Sequence, residues 1–395
     1  MTVEQARAAM LAHAVQLGHE RVALEDALGR VLARAVRATR DQPPFAVSAM
    51  DGYAIRSADA PGVLTVTGES AAGAGFDGIC DKGCAIRIST GAAMPFGADA
   101  VVIQEDVRRE GAALTVPAAR VHHHVRPRAG DFAAGTVLLD ANRRLDGVAV
   151  SLVAAGGAAH VDVVRRPRIA ILSSGDELAA PGTLPGPWQI FESATFGIAG
   201  LARQWGAHCQ RLAVEKDDVE AIARAAGAGL RDSDLLVVIG GASVGDHDHA
   251  RPALMKLGLS LAVEKVAVRP GKPTWFGTAP DAMVLGLPGN PASALVCAQL
   301  FLKPLVRAML GQPAEPVFQR ARLERPLPAN GPREHYLRAR WHGDEEGRLA
   351  VTAFEDQDSS LISIFAAANA LIRLPPDQPA QDAGALVDML MLDTP

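Results

Sequence analysis

Residues 235–251 read LLVVIGGASVGDHDHAR, and this stretch constrains the fold more than any other. Five apolar residues stop at Gly240-Gly241. A short β-branched run ending in paired glycines reads as a buried parallel strand entering a tight loop. Glycine lets backbone approach a ligand closely, and successive amide N–H groups can cradle an anion. Ser243, Gly245, Asp246 and Asp248 follow, and paired carboxylates can hold a hard cation beside that anion. A solvated acidic turn accounts for the same residues equally well, so the stretch alone implies a fold and leaves function open.

The surroundings extend the pattern. Apolar runs at 169–172, 208–214, 261–268 and 283–287 alternate with helical periodicity at 193–206, 219–230, 249–257 and 292–310. Strands alternating with helices at this spacing predict a doubly wound, mostly parallel α/β domain over 167–312. Ligands of such sheets lie beyond the carboxyl ends of the strands. The loops there carry acids (Asp176, Glu177, Asp217, Asp248) interleaved with cations (Lys265, Arg269, Lys272). Phosphoryl oxygens would sit on the cations and loop amides, and the carboxylates would hold Mg²⁺.

The remaining chain has other textures. Thr2 and Gln5 have capping-box spacing before a helical repeat. Pro43-Pro44 breaks any helix, and short alternating runs from 62 to 135 read as β structure. Asp146 can cap a helix over 147–155. The expected organisation is a discontinuous helical and extended linker domain (1–43 and 133–166) bracketing an inserted small β domain (44–132). The α/β domain follows, and five short strands over 313–395 form a C-terminal β-barrel.

Composition excludes several classes. With 39 Lys and Arg against 44 Asp and Glu, the net charge is −5, so nothing draws the whole chain to nucleic acid or anionic membranes. An anionic substrate must find a local basic patch. Cys80, Cys84, Cys209 and Cys297 form no C-x-x-C pair and read as reduced thiols, which points to the cytoplasm. The small-apolar run 147–161 is too short to span a bilayer. His122, His123 and His124 cannot all face one metal from a strand, because side chains alternate. No G-x-x-x-x-G-K-[ST] occurs, and GGASVG lacks the dinucleotide G-x-G-x-x-G register.

Taken together, a collinear series of motifs resembles the molybdopterin molybdenumtransferase family, of the MoeA and gephyrin E-domain type. It runs through Ser48-Ala-Met-Asp-Gly-Tyr-Ala54, Thr90-Gly91 with Ala98-Asp99, Arg126 with Gly130-Asp131, and Ser174-Gly-Asp-Glu-Leu178. It continues through Gly240-Gly-Ala-Ser-Val-Gly245 with Asp248, Pro270-Gly-Lys-Pro273, Leu287-Pro-Gly-Asn-Pro291, Pro332-Arg-Glu-His-Tyr-Leu-Arg338 and Gln357-Asp-Ser-Ser360. The resemblance implies a cytoplasmic homodimer that takes adenylated molybdopterin and molybdate, cleaves the adenylate with Mg²⁺, and releases AMP as molybdenum is left on the dithiolene. Asp51, Thr90, Arg126 and Asp131 would face a cleft completed by the partner chain. Asp51, Glu177, Asp217 and Asp248 would be catalytic, and the last three would also hold the metal. Gly240, Gly241, Ser243, Gly245, Lys265, Arg269, Lys272, Pro288 and Pro291 would shape the substrate site. Further partners implied are apo-molybdoenzymes and an upstream adenylyltransferase, with no nucleic acid and no membrane.

Two departures stand out. The family often has a Tyr-Asp-x-Asn-like segment where this chain reads Phe191-Glu-Ser-Ala-Thr195, which leaves Ser193 or Thr195 to replace a substrate contact. Arg269 stands where Lys is common, keeping charge but changing geometry. They motivate an alternative, a non-catalytic molybdopterin-binding paralogue acting as cofactor carrier or scaffold.

Overall fold

The structure is a computed structural model, and it describes residues 1–240, 249–280 and 282–392. Gly241, Ser243, Gly245, Asp246 and Asp248 therefore lie outside the described residues. The chain divides into two compact units, residues 21–163 and residues 1–20 with 164–395.

In the unit 21–163, a six-stranded sheet has the order Ala100–Ile103, Gly52–Ile55, Cys84–Ile88, Gly62–Ser70, Ala113–Val116, Arg108–Glu110. Its pairings are antiparallel except that between Gly62–Ser70 and Cys84–Ile88. Strand alternation explains why both faces are buried. Tyr53 and Ile55 enter one core with Leu64, Val102 and Leu114, while Ala54 enters another with Ile86, Ile88 and Val101. A separate core joins Ala27, Leu32 and Val36 to Leu145, Ala149, Val153 and Val163, so segments on either side of the sheet pack together. The helix in that core, Gly147–Ala155, starts where Asp146 Oδ1 accepts the Ala149 N–H at 2.8 Å.

The other unit holds the α/β sheet. Its order is His208–Arg211, Arg168–Ser173, Leu235–Ile239, Met283–Leu287, Trp275–Thr278, Ser260–Val263. The first four strands pair in parallel, and the last two pairings are antiparallel. Leu235–Ile239 is buried throughout, as its uninterrupted apolar run requires of a central strand with both faces covered. On one face, Leu172, Leu236, Val238 and Val284 pack on Ile222 and Ala226 of helix Val219–Arg231 and on Ala250 and Leu254 of helix Ala250–Met255. Helices Ala194–Gln204 and Pro291–Cys297 pack against each other and against strands Arg168–Ser173 and Met283–Leu287. The second continues through a π-helical segment, Ala298–Leu302, into Lys303–Met309. Pro291–Met309 is long and apolar enough to cross a membrane, but 83% of its apolar window is buried, as in the core helix of a folded domain.

The C-terminal strands close on themselves. Glu334–Gly343 pairs with Leu349–Ala353, that with Gln319–Leu323, then Leu386–Met391, then Ala370–Leu374, which returns to Glu334–Gly343. The expected five-stranded barrel is formed. Small aliphatics fill it: Ala321, Ala339, Val351, Ile372 and Met389.

One expectation is revised. The run 261–268 is not a single strand: Ser260–Val263 stays at the edge of the α/β sheet, whereas Val268–Arg269 pairs in parallel with Glu334 and His335 of the barrel. Hydrophobic periodicity could not reveal the split, because both pieces are half-buried edge segments. Trp275–Thr278 was not expected as a strand, and it pairs where glycines allow close approach. A Cβ on Gly286 would stand 2.0 Å from Trp275 Cε2, and Trp275 is fully buried. Gly286→Ala is therefore expected to destabilise the fold by about 1–3 kcal/mol, since a packed core has no room for an added methyl. An unshifted chemical-denaturation midpoint would contradict this packing.

Candidate active site

At the carboxyl ends of the parallel strands, three loops are tied edge to edge. The Ser174 N–H reaches Ile239 O (3.4 Å), the Gly175 N–H reaches Glu215 O (3.1 Å), and the Gly240 N–H reaches Leu287 O (3.3 Å). Gly240 has φ +86°, and a Cβ there would lie 2.8 Å from Ser174 O, so only glycine fits. Ser174 is buried, and among the described residues its hydroxyl has no partner.

The expected acidic residues converge in part. Asp176 and Glu177 follow the first strand. Asp176 Oδ1 accepts the Asp217 N–H at 3.4 Å, which brings the two acidic loops together. Glu177 folds back so that its Oε2 stands 2.6 Å from where a Gly175 Cβ would be. These are hard oxygen donors, the type Mg²⁺ prefers. Among the described residues no three His, Cys, Asp or Glu side chains gather as a metal-holding group. Asp248, the third expected ligand, lies outside the described residues.

The cationic residues form a clearer site. A pocket of about 370 Å³ is lined by Arg269, Lys272, Pro288, Ser293, Arg333 and Ser359, among others. Its construction follows from the strand switch. Pairing of Arg269 with His335 sets the α/β loop against the barrel strand. Arg333 Nη1 donates to Val268 O (3.3 Å) on the same seam. On the barrel side, Gln357 clamps Arg338 by accepting its N–H (2.9 Å) and donating to its carbonyl (2.9 Å), which holds the loop carrying Asp358 and Ser359. Asn290 Nδ2 then donates to Ser359 Oγ (2.7 Å), closing the rim beside the start of helix Pro291–Cys297. Pro291 begins that helix, and Lys265 lies outside the pocket lining. Three cations and two hydroxyls against one carboxylate, Asp358, leave the cavity net positive and suited to a small oxoanion, because charge-assisted hydrogen bonds are the strong ones.

Beneath the loop, Gly271 (φ +116°) leaves space that the Cys297 thiol fills: a Cβ there would lie 2.2 Å from Cys297 Sγ. Thr274 Oγ1 donates to that sulfur at 3.2 Å. Full burial pushes the Cys297 thiol up to about 12, so it acts as packing and not as a nucleophile. His335 also lines the pocket. Burial, then the positive charges of Arg269, Arg333 and Arg338, bring its pKa from 6.5 down to about 4, so it is neutral at neutral pH.

In the other unit, a cavity of about 650 Å³ is lined by Pro43, Phe45, Gly91, Arg126, Gly130 and Asp131, among others. Arg126 and Asp131 thus share a cavity. Asp51 Oδ1 accepts the Thr90 N–H at 2.7 Å, next to Gly91. The Thr90 amide, then its hydroxyl, with the Arg87 charge, hold the Asp51 carboxyl below the usual carboxylate range. The residues 122–124 form a turn in which His122 and His124 have positive φ.

The sequence reading named Arg269, Lys272 and Pro288, but did not assign Ser293, Arg333 or Ser359 to the site. Arg333 and Ser359 lie inside the two barrel motifs quoted for the resemblance, and that was the available signal. The departure at 191–195 has a structural explanation. Glu192 is buried and accepts both the Thr195 N–H and the Thr195 hydroxyl at 2.7 Å, and Arg211 Nε donates to the same Thr195 oxygen at 2.7 Å. Thr195 is therefore fully engaged at the start of helix Ala194–Gln204.

A pterin-type α/β domain followed by a closed barrel, with a cationic pocket on the seam, is the class of protein these features define. Residues 1–157 match the family described as MoeA N-terminal region (domain I and II), residues 170–308 the Probable molybdopterin binding domain, and residues 320–392 the MoeA C-terminal region (domain IV). The chain is 37% identical over 391 residues to the molybdopterin molybdenumtransferase of Nostoc, covering 95% of this chain and 89% of that protein. It is 32% identical to that of Haemophilus influenzae, covering 98% and 97%. A solved molybdopterin biosynthesis MoeA protein from Pyrococcus horikosii superposes with a TM-score of 0.86 at 28% identity, covering 100% of this chain and 99% of that one. The chain belongs to the molybdopterin molybdenumtransferase family.

Two measurements check the pocket. Gly271→Ala must push either the loop or Cys297 aside, so oxoanion affinity is expected to fall about tenfold or more while the fold persists; unchanged calorimetric binding of molybdate would contradict the packing. For His335, the unfolded chain takes up a proton near 6.5 and the folded chain only near 4. Its contribution is fully present above 6.5 and is lost as pH falls through that window. His335→Gln should flatten the pH dependence of stability between those values, and an identical profile would remove the assignment.

Proposed function

We propose that this chain acts in molybdenum cofactor biosynthesis, inserting molybdenum from molybdate into adenylated molybdopterin with release of AMP. One observation carries the reading: the pocket on the seam between α/β loop and barrel, where Arg269, Lys272 and Arg333 stand with Ser293 and Ser359. A tetrahedral dianion such as molybdate matches that set of donors. The names of the relatives supply the chemistry, and the cationic pocket supplies a place for the metal oxoanion.

The residues divide the work. Arg269, Lys272 and Arg333 neutralise the oxoanion, and Ser293 and Ser359 orient it. Gly240 keeps the backbone close at the sheet mouth, where loop amides meet the pterin phosphate; Gly241, Ser243 and Gly245 are assigned to that cradle by the sequence motif alone and lie outside the described residues. Glu177, Asp217 and Asp248 would hold Mg²⁺, which when bound polarises the scissile phosphoryl group. Pro288 stiffens the wall beside the oxoanion, and Pro291 starts the helix behind it. Asp51, kept ionised by Thr90, belongs with Arg126 and Asp131 to a second surface. In the homodimer we infer, that surface of one chain closes over the strand mouth of its partner. The cytoplasm supplies the setting, and an adenylyltransferase and apo-molybdoenzymes are the natural donor and acceptor.

The test is a turnover assay with adenylated molybdopterin, Mg²⁺ and molybdate. Arg333→Ala should raise the molybdate KM about tenfold or more, through loss of a charge-assisted contact, with pterin binding intact. Asp51→Ala and Asp248→Ala should abolish AMP release. Full turnover in all three variants would reject the site, and tight pterin binding by the wild type without AMP release would favour the carrier reading.

A further inference from the structure

The pairing directions of the barrel bring the ends of Gln319–Leu323, Leu349–Ala353 and Ala370–Leu374 and the start of Glu334–Gly343 together. A cavity of about 770 Å³ opens at that end. Its floor is the barrel core itself, since Leu327, Leu337 and Leu374 line it and are buried there. Its rim is polar and carries Arg325, Asn330 and Asp356. Small-molecule sites measure roughly 300–1,000 Å³, are mostly apolar with a few placed polar groups, and favour the mouths of β-barrels. This cavity meets each condition, and the function proposed above leaves it without a role.

The barrel mouth adjoins the cationic pocket. Arg269, His335, Gln357 and Asp358 line both. His335 shares a strand face with Leu337 and Ala339 of the barrel core, so its side chain turns to the mouth. It is 8% exposed, and among the described residues its imidazole has no hydrogen-bond partner. A neutral imidazole donates from one nitrogen and accepts at the other. Such a ring, unpartnered on a wall common to two cavities, is suited to a molecule that spans them. On the other side of the cationic pocket, Pro288 lines the wall one residue beyond Leu287, whose carbonyl accepts the Gly240 N–H at the sheet mouth. Sheet mouth, cationic pocket and barrel mouth thus follow in order.

We propose that the barrel mouth holds the pterin ring of the substrate, an inference that rests on the function proposed above and extends it. In adenylated molybdopterin the phosphate, the dithiolene and the pterin ring follow one another along the molecule, and the adenosine hangs from the far side of the phosphate. With the phosphate at the sheet mouth and the dithiolene beside molybdate in the cationic pocket, the ring reaches the next cavity in the series. A pterin has flat faces and a polar edge, where an amino group sits beside a ring N–H. Its faces lie on the leucine floor. A carboxylate accepts from both edge donors at once, as it does from arginine. Asp356 is the rim acid open to this contact. Glu355 already accepts from Arg325 Nη1 at 3.2 Å, and Asn330 Nδ2 donates to Arg333 O (2.8 Å) and Pro375 O (2.7 Å). Asp356 is exposed, and its Oδ1 accepts the Asp358 N–H at 2.8 Å, which leaves lone pairs on both oxygens. His335, nearer the cationic pocket, exchanges hydrogen bonds with the nitrogens at the dithiolene end of the ring.

The test titrates 6-hydroxymethylpterin into the full-length protein, read by pterin fluorescence and by calorimetry. Binding is expected, and excess molybdate or adenosine should leave the pterin in place. Ala353 lines the cavity and packs against the barrel core, so Ala353→Phe fills the mouth and should weaken binding about tenfold or more. Asp356→Asn keeps the oxygen that holds the Asp358 amide, loses the second acceptor, and should weaken binding about tenfold. If Ala353→Phe fails to fold, Ala329→Trp on the exposed rim loop narrows the same mouth and should give the same loss. No binding by the wild type, affinity unchanged in the mouth-filling variant and in Asp356→Asn, or displacement by molybdate or adenosine would each overturn the proposal. The readout is binding, so a wild type that releases no AMP rejects the function above while these titrations still decide the subsite. A wild type that turns over but binds no pterin at the barrel mouth rejects the subsite alone.

Discussion

Two residues of parallel pairing, Val268–Arg269 against Glu334–His335, organise the unit that carries the cationic pocket. An α/β domain and a barrel are each stable designs with their own cores, and nothing in either core demands that a basic loop of one meet a basic strand of the other. The pairing forces that meeting. Like charges are brought together at a cost that burial of Val268 and the backbone hydrogen bonds offset, and the result is a cavity lined by Arg269, Lys272 and Arg333 against the single carboxylate of Asp358.

The seam is supported from below and from the side. Cys297 and Thr274 fill the hollow under Gly271, so the loop rests on packed atoms instead of solvent. Gln357 and Asn290 fix the barrel loop in place by hydrogen bonds to backbone and to Ser359. The pocket's shape thus rests on uncharged groups held by packing and hydrogen bonds.

Much of this was legible in the sequence, for physical reasons. Leu235–Ile239 announced itself because a strand covered on both faces must be apolar throughout, and Gly147–Ala155 because Asp146 caps it. The barrel showed itself as a run of five short strands with no long helix between them. What stayed hidden has equally physical causes. The split of 261–268 is a tertiary choice between two edges, and Trp275–Thr278 is short and interrupted by Gly277, which lets it lie close to Ser260 O. Of the site, Arg269, Lys272 and Pro288 could be named from loops at strand ends. Arg333, Ser293 and Ser359 could not be named from their own surroundings, since a hydroxyl in the first turn of a helix and an arginine at a strand start are ordinary until the seam places them together.

The seam also bears on modularity. The segment between the α/β helix and the barrel looks like a natural place to exchange one barrel for another. The cationic pocket, however, has one wall in residues 269–273 and another in 333–359, and neither wall is complete alone. A chimaera joined near residue 312 would inherit two half-pockets with separate histories. Recombination along this chain is therefore constrained by a boundary that runs through space between strands, and a cut in the linear sequence does not follow it.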